Sequence, residues 1–140
     1  MSMPLALSDE DWPSQALALT HGRGVDIVYD PVGGDTFDRS TKCIAFDGRI
    51  LVIGFASGRI PEIKLNRVML KNIAVVGLHI GSYRQHNHAR LQEAMGELIA
   101  MYERGDVRPV ISETYPLAEA AHALRAIFER RTTGKVVLVP

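Results

Sequence analysis

The chain has 140 residues, in which sixteen basic side chains are balanced by sixteen acidic ones. A length of this order buries roughly two thirds of the unfolded surface, enough for one domain with a real core. The even charge, with neither sign gathered into a tail, gives no steering toward nucleic acid or an anionic membrane, so the expected partner is a small molecule or another protein. One cysteine, Cys43, excludes an intramolecular disulfide. The beginning, MSMPLALSDED, has no basic stretch followed by a long apolar core, and a cytoplasmic location is expected. The longest apolar run, IAVVGL at 73–78, is far below the roughly 18 residues of a membrane span.

Ser8 followed by Asp9, Glu10 and Asp11 reads as a helix start, with Trp12, Ala16 and Leu19 as its apolar stripe and His21 to Gly24 as its exit turn. VDIVYD at 25–30 is rich in β-branched and aromatic residues and is closed by Pro31, Gly33 and Gly34, the signature of a strand. Asp35 is placed to cap a helix through TFDRSTKCIAF, with Phe37 and Ile44 on one face. RILVIG at 49–54 predicts a second strand ended by FASGR, EIKLNRVMLKN a further helix, and IAVVGLHI at 73–80 a third strand. Beyond these, Leu91, Met95, Leu98 and Tyr102 form the stripe of a helix ended by Gly105. Leu117, Ala120, Ala121, Leu124, Ile127 and Phe128 form a wider stripe, and KVVLV at 135–139 is a short last strand.

Apolar runs alternating with helices at intervals of about two dozen residues imply parallel strands joined by crossovers, the doubly wound α/β class. In such a sheet every strand delivers its carboxyl end to one edge, where ligands bind. Three turns therefore converge: Pro31 to Gly34, Gly54 to Gly58 and Leu78 to Gly81. Each carries glycine, which lets a flat ligand approach the backbone closely. No G-x-G-x-x-G, P-loop or nucleophile elbow is present, so the usual pyrophosphate cradle is missing.

Isolated chemical residues read two ways. Cys43, in a helical pattern, is a small buried hydrophobe before it is a nucleophile. His86 and His88 mark a solvated helix start and lack the further ligands that a metal requires. His79 either lines a pocket or satisfies a core hydrogen bond. Arg130 and Arg131 at a helix end either complement its dipole or reach a phosphate.

Four segments, GRGVDIVYDPVGGDTFDRS, DGRILVIGFASG, VVGLHIGSY and TTGKVVLVP, resemble in order and interval the C-terminal part of zeta-crystallin-like NADPH:quinone oxidoreductases. These belong to the medium-chain, zinc-type alcohol dehydrogenase superfamily. The resemblance runs from about Ser8 to the last strand. It implies a GroES-like catalytic domain followed by a Rossmann domain that holds NADPH, with NADH left open, for hydride transfer to a quinone or an activated enone or enal.

Residues 1–140 would then be one domain, the C-terminal half of the dinucleotide-binding domain. The implied fold is a partial Rossmann-type three-layer α/β arrangement with C-terminal helices and a short last strand. The Gly-rich first βαβ unit and the catalytic domain would be absent. Carried over by position, the implied cofactor contacts are Gly34, then Val52, Ile53, Gly54 and Phe55, then Leu78, His79 and Ile80, and Arg130 toward the phosphates.

No residue is assigned a catalytic role and no zinc is expected. The chain by itself is expected to be catalytically incompetent, and to form a homodimer through its sheet edges, with IAVVGLHI as one candidate. The competing reading is a non-catalytic, self-associating or degenerate nucleotide-binding module.

Overall fold

Where the sequence places its longest β-branched runs, a parallel sheet forms. The computed structural model describes residues 11–140 in two units, one up to Gln85 and one from His86. The helix start read at Ser8 lies outside the described residues. In the first unit, α1 (Trp12–Leu19), β1 (Val25–Asp30), α2 (Gly34–Cys43), β2 (Ile44–Val52), α3 (Leu65–Lys71) and β3 (Ala74–Gly77) follow in chain order. A 3-10 turn (Ile80–Ser82) and a short α4 (Tyr83–His86) come next. The sheet order is β1-β2-β3, all parallel.

Strand side chains alternate, and the helices take one set. Phe37 from α2 and Val68 from α3 pack with Ile44, Ile50 and Ile73, with Val28 at the margin. Trp12 and Ala16 of α1 pack with Cys43, which is fully buried, and α1 lies against α2. Burial pushes the Cys43 thiol above its ordinary pKa, so it stays protonated and inert. The alternate positions of β1 face away from this core, leaving Ile27 and Tyr29 64% and 65% exposed.

The second strand departs from its sequence reading. It begins at Ile44, where the helix through TFDRSTKCIAF was expected to continue, and ends at Val52, before Ile53 and Gly54. Ile44 is already extended (φ −66°, ψ 137°), and pairing passes from Val25–Ile44 directly to Ile27–Arg49. The extra residues of β2 form a bulge in which Asp47 is left-handed (φ 62°). Gly24 allows this close approach: a Cβ there would stand 2.6 Å from the Cys43 carbonyl oxygen. The third strand is also shorter than read, since Leu78 and His79 lie beyond it and Ile80 opens the 3-10 turn.

The second unit contains α5 (His88–Glu103), β4 (Ile111–Pro116), a 3-10 turn (Leu117–Glu119), α6 (Ala120–Phe128) and β5 (Lys135–Val139). Asn87 caps α5 by accepting the Arg90 amide at 3.1 Å, and Gly105 follows its end with φ 78°. β4 and β5 pair in parallel. α6 packs on both through its small residues: Ala123 and Ala126 are buried, whereas Leu124 and Phe128 of the expected stripe are 65% and 88% exposed. The last strand has the bounds read from KVVLV. No helix among the described residues is long and apolar enough to cross a membrane.

Two substitutions test this packing by urea unfolding. Ile50→Ala, at a position with no exposure, should cost about 2–5 kcal/mol. Gly24→Ala should cost clearly more than Gly22→Ala, which has comparable left-handed geometry (φ 81° against 90°) but no atom within 4 Å of the added methyl. Equal losses would show that the approach to Cys43 is unimportant.

Candidate functional site

The carboxyl ends of β1, β2 and β3 are joined by main-chain hydrogen bonds. The Asp30 carbonyl accepts the amides of Ile53 at 2.9 Å and Gly54 at 3.3 Å as β2 exits. The Pro31 carbonyl then accepts Ala56 at 3.1 Å and the Val32 carbonyl accepts Ser57 at 2.9 Å. On the other side, the Val52 carbonyl accepts the Leu78 amide at 3.0 Å. Three turns separated by tens of residues in sequence thus form one continuous rim.

The first turn is shaped by Asp30, whose Oδ1 accepts the amides of Val32 at 2.9 Å and Gly33 at 2.8 Å. This leads the chain into left-handed conformations at Gly33 and Gly34 (φ 67° and 54°), which cost little only for glycine. A Cβ on Gly34 would also meet the Ser57 Oγ at 2.6 Å. Arg59, in the turn after β2, makes ion pairs with Asp35 at 2.8 Å and with Asp38, fastening that turn to the start of α2. Both pairs are exposed, so they align the loop more than they stabilise it.

Between the second and third strand ends lies a cleft of about 370 Å³, lined by Val52, Ile53, Gly54, Phe55, Gly77, Leu78 and His79. Its walls are aliphatic and aromatic, and the amides of Phe55 and His79 donate to no protein group among the described residues. Nothing lies within 4 Å of the point where a Gly77 Cβ would stand, so this floor is open backbone. The His79 ring shares a hydrogen bond of 2.6 Å with Ser82 Oγ through Nδ1, which orients the imidazole. The arrangement can hold a flat, partly polar ring by apolar contact and main-chain hydrogen bonds. It contains no nucleophile with an adjacent base.

Six of the nine predicted contact residues meet in this cleft. Gly34 stands one turn away, in the segment bonded to the β2 exit, and Ile80 begins the 3-10 turn just beyond the lining. Arg130 belongs to the second unit, where it follows α6 in a left-handed conformation (φ 56°). Gly77 was not singled out from the sequence. Its position at the end of an apolar run, one residue before Leu78, was the available signal.

The second unit also groups titratable residues that were not singled out from the sequence. Tyr115 donates to Glu113, which holds the phenol proton and raises its pKa, and the Tyr115 ring lies 5.5 Å from that of His122. No cluster of three or more metal-ligating side chains occurs among the described residues.

Comparison with known proteins places these features in a family. The profile of the family described as "Zinc-binding dehydrogenase" matches residues 7–138. The chain is 38% identical over 121 residues to a quinone oxidoreductase-like protein 2 homolog of Nematostella vectensis, covering 86% of this chain and 33% of that protein. It is also 38% identical over 134 residues to a quinone oxidoreductase of Pseudomonas aeruginosa, covering 95% of this chain and 41% of that one. Among solved structures, it resembles the Escherichia coli quinone oxidoreductase complexed with NADPH. That match has a TM-score of 0.83 at 28% identity and covers 97% of this chain and 42% of the other. A Pseudomonas syringae quinone oxidoreductase matches with a TM-score of 0.81 at 35% identity, over 95% and 41% of the two chains. The chain therefore spans about a third to two fifths of the length of the relatives it matches. By profile, sequence and fold, it belongs to the zinc-binding dehydrogenase family.

Proposed function

We propose that the chain is the carboxyl-terminal half of the dinucleotide-binding domain of an NADPH-dependent oxidoreductase acting on a quinone or an activated enone or enal. The observation that carries this reading is the cleft at the joined strand ends, open at Gly77 and walled by Val52, Ile53, Phe55 and Leu78. It has the shape and chemistry for the nicotinamide half of the cofactor. The NADPH complex of the E. coli relative, similar over 97% of this chain, supports the choice of cofactor.

When bound, the nicotinamide supplies hydride. The residues of this chain bind and orient. Val52 and Phe55 give apolar surface to one ring face, the Phe55 and His79 amides are placed to donate to a carboxamide, and Ser82 keeps the His79 ring in one orientation. Gly34 keeps the adjoining turn free of a side chain, and Arg130 is assigned to the phosphates. The substrate pocket and the pyrophosphate cradle belong to polypeptide outside this chain, so the chain alone binds weakly and turns nothing over. The complete protein is taken to be a homodimer, with β3 as the contact edge: Val75 and Val76 on this strand are 37% and 42% exposed.

Fluorescence titration with NADPH tests the cofactor assignment. Gly77→Val places a side chain in open space, so its unfolding midpoint should stay within about 0.5 kcal/mol of the parent chain, as for surface changes. Its NADPH affinity should fall at least about tenfold, equivalent to about 1.4 kcal/mol. Saturable binding unaffected by this substitution would place the nucleotide elsewhere. For the dimer, Val76→Lys should move the chain from dimer to monomer in sedimentation velocity. A parent chain that sediments as a monomer at all concentrations removes this part of the reading.

A further inference from the structure

Between α2 and α3, which pack on the same core, lies a second cleft of about 480 Å³, within the size range of small-molecule sites. Asp38 and Thr41 of α2 line one side, Arg67 and Lys71 of α3 the other, and Glu62 and Lys64 come just before α3. The cleft shares no residue with the one at the strand ends. Ile63 packs against the core, which anchors its segment and leaves Glu62 and Lys64, on either side of it, exposed.

Some of the charges here are answered within the chain. Lys71 Nζ donates to the carbonyls of Thr41 at 3.0 Å, Lys42 at 3.3 Å and Ile44 at 3.4 Å, where α2 runs into β2. Asp38 is ion-paired with Arg59. Thr41, only 3% exposed, donates to the Asp38 carbonyl at 2.7 Å and accepts from Nη1 of Arg67 at 2.9 Å. That bond fixes one arm of the Arg67 fork, while its other N–H groups have no acceptor among the described residues. The side chains of Glu62 and Lys64 make no hydrogen bond or ion pair among the described residues.

Two cations and one carboxylate therefore remain open around one cleft. A simple anion would leave Glu62 opposed to it, and a simple cation would be repelled by Lys64 and Arg67. A ligand that answers all three carries two acidic groups and one ammonium. We propose that the cleft between α2 and α3 binds a small amino acid with a second acidic group, a carboxylate or a phosphate, on its side chain. One acidic group takes the Arg67 fork, the other takes Lys64, and the ammonium takes Glu62. Ile63 and Leu70 supply apolar surface for the carbon chain between these groups. All three charged residues are exposed, so water and salt screen them, and the expected Kd is about 1 mM. The inference does not rest on the nucleotide reading.

The test is an amide NMR titration of the isotope-labelled 140-residue chain at constant ionic strength. L-glutamate presents the carboxylate form of the ligand and O-phospho-L-serine the phosphate form. Shifts should saturate and be confined to Asp38, Thr41 and the stretch from Glu62 to Lys71. Glutarate, without the ammonium, and γ-aminobutyrate, without the second acid, should each bind at least about tenfold more weakly than glutamate. Lys64→Gln should weaken both amino acids by about tenfold, the range for losing a hydrogen bond between charged groups. Glu62→Gln should abolish the preference for glutamate over glutarate. That preference is measured within one protein, so it reports on the ammonium contact whatever the stability of the variant.

The absence of saturable shifts with both amino acids up to about 10 mM overturns the proposal. So do shifts that sodium chloride or glutarate reproduces at the same concentration, a Lys64→Gln chain that binds as the parent does, or a preference for glutamate that survives Glu62→Gln. Saturable binding of either amino acid with the expected losses supports it, and the tighter of the two identifies the second acidic group. No readout involves NADPH, so success or failure here leaves the nucleotide reading to its own titration.

Discussion

The first unit depends on how one residue, Asp30, ends a strand. Its carbonyl receives the amides of Ile53 and Gly54, while its carboxylate holds Val32 and Gly33. The first interaction fixes where β2 leaves the sheet, and the second fixes how β1 turns into α2. The Pro31–Ala56 and Val32–Ser57 hydrogen bonds then hold the two turns side by side. Together they convert the ends of neighbouring strands into a rim with defined spacing, and the Val52–Leu78 hydrogen bond extends that rim to β3.

This construction explains why the cleft relies on backbone rather than on reactive side chains. Amides held by strand pairing lose little entropy on binding a ligand, since folding has already ordered them. Apolar walls from Val52, Phe55 and Leu78 supply contact over a ring without specifying its chemistry. The core beneath supports the rim: Ile50, two residues before the end of β2, clusters with Phe37, Ile44 and Ile73, and β2 carries this packing directly to Val52. The bulge at Ala45–Gly48 has the opposite character. It lies at the other end of β2, away from the rim, and lets α2 run into the strand without a connecting loop.

The sheet and the turns at its carboxyl edge were largely legible, because period and punctuation are local signals. VDIVYD followed by Pro and two glycines gave β1 and its turn, and KVVLV gave β5. The errors have identifiable causes. Ile44 lies two turns from Phe37 on the face read for α2, but pairing with Val25 draws it into β2, so tertiary contact overrode the local pattern. ISETYP, which forms β4, was not read from the sequence: Ser112, Glu113 and Thr114 are three polar residues in a row and break the apolar pattern that marks a strand. In α6 the large apolar residues suggested the packed face, whereas close approach to β4 and β5 selected Ala123 and Ala126.

By itself, the sequence determined the α/β class, the direction of the strands and the three glycine-bearing turns, since alternation, chain length between strands and backbone freedom are properties of neighbouring residues. It also carried the resemblance that the family match bears out. Only the tertiary structure decided which turns bond to one another, that Gly77 forms an open floor, and that one oxygen of Asp30 has no partner among the described residues. Those facts depend on which groups from distant segments come within hydrogen-bonding distance or fail to, and a list of residues in order does not contain that distance.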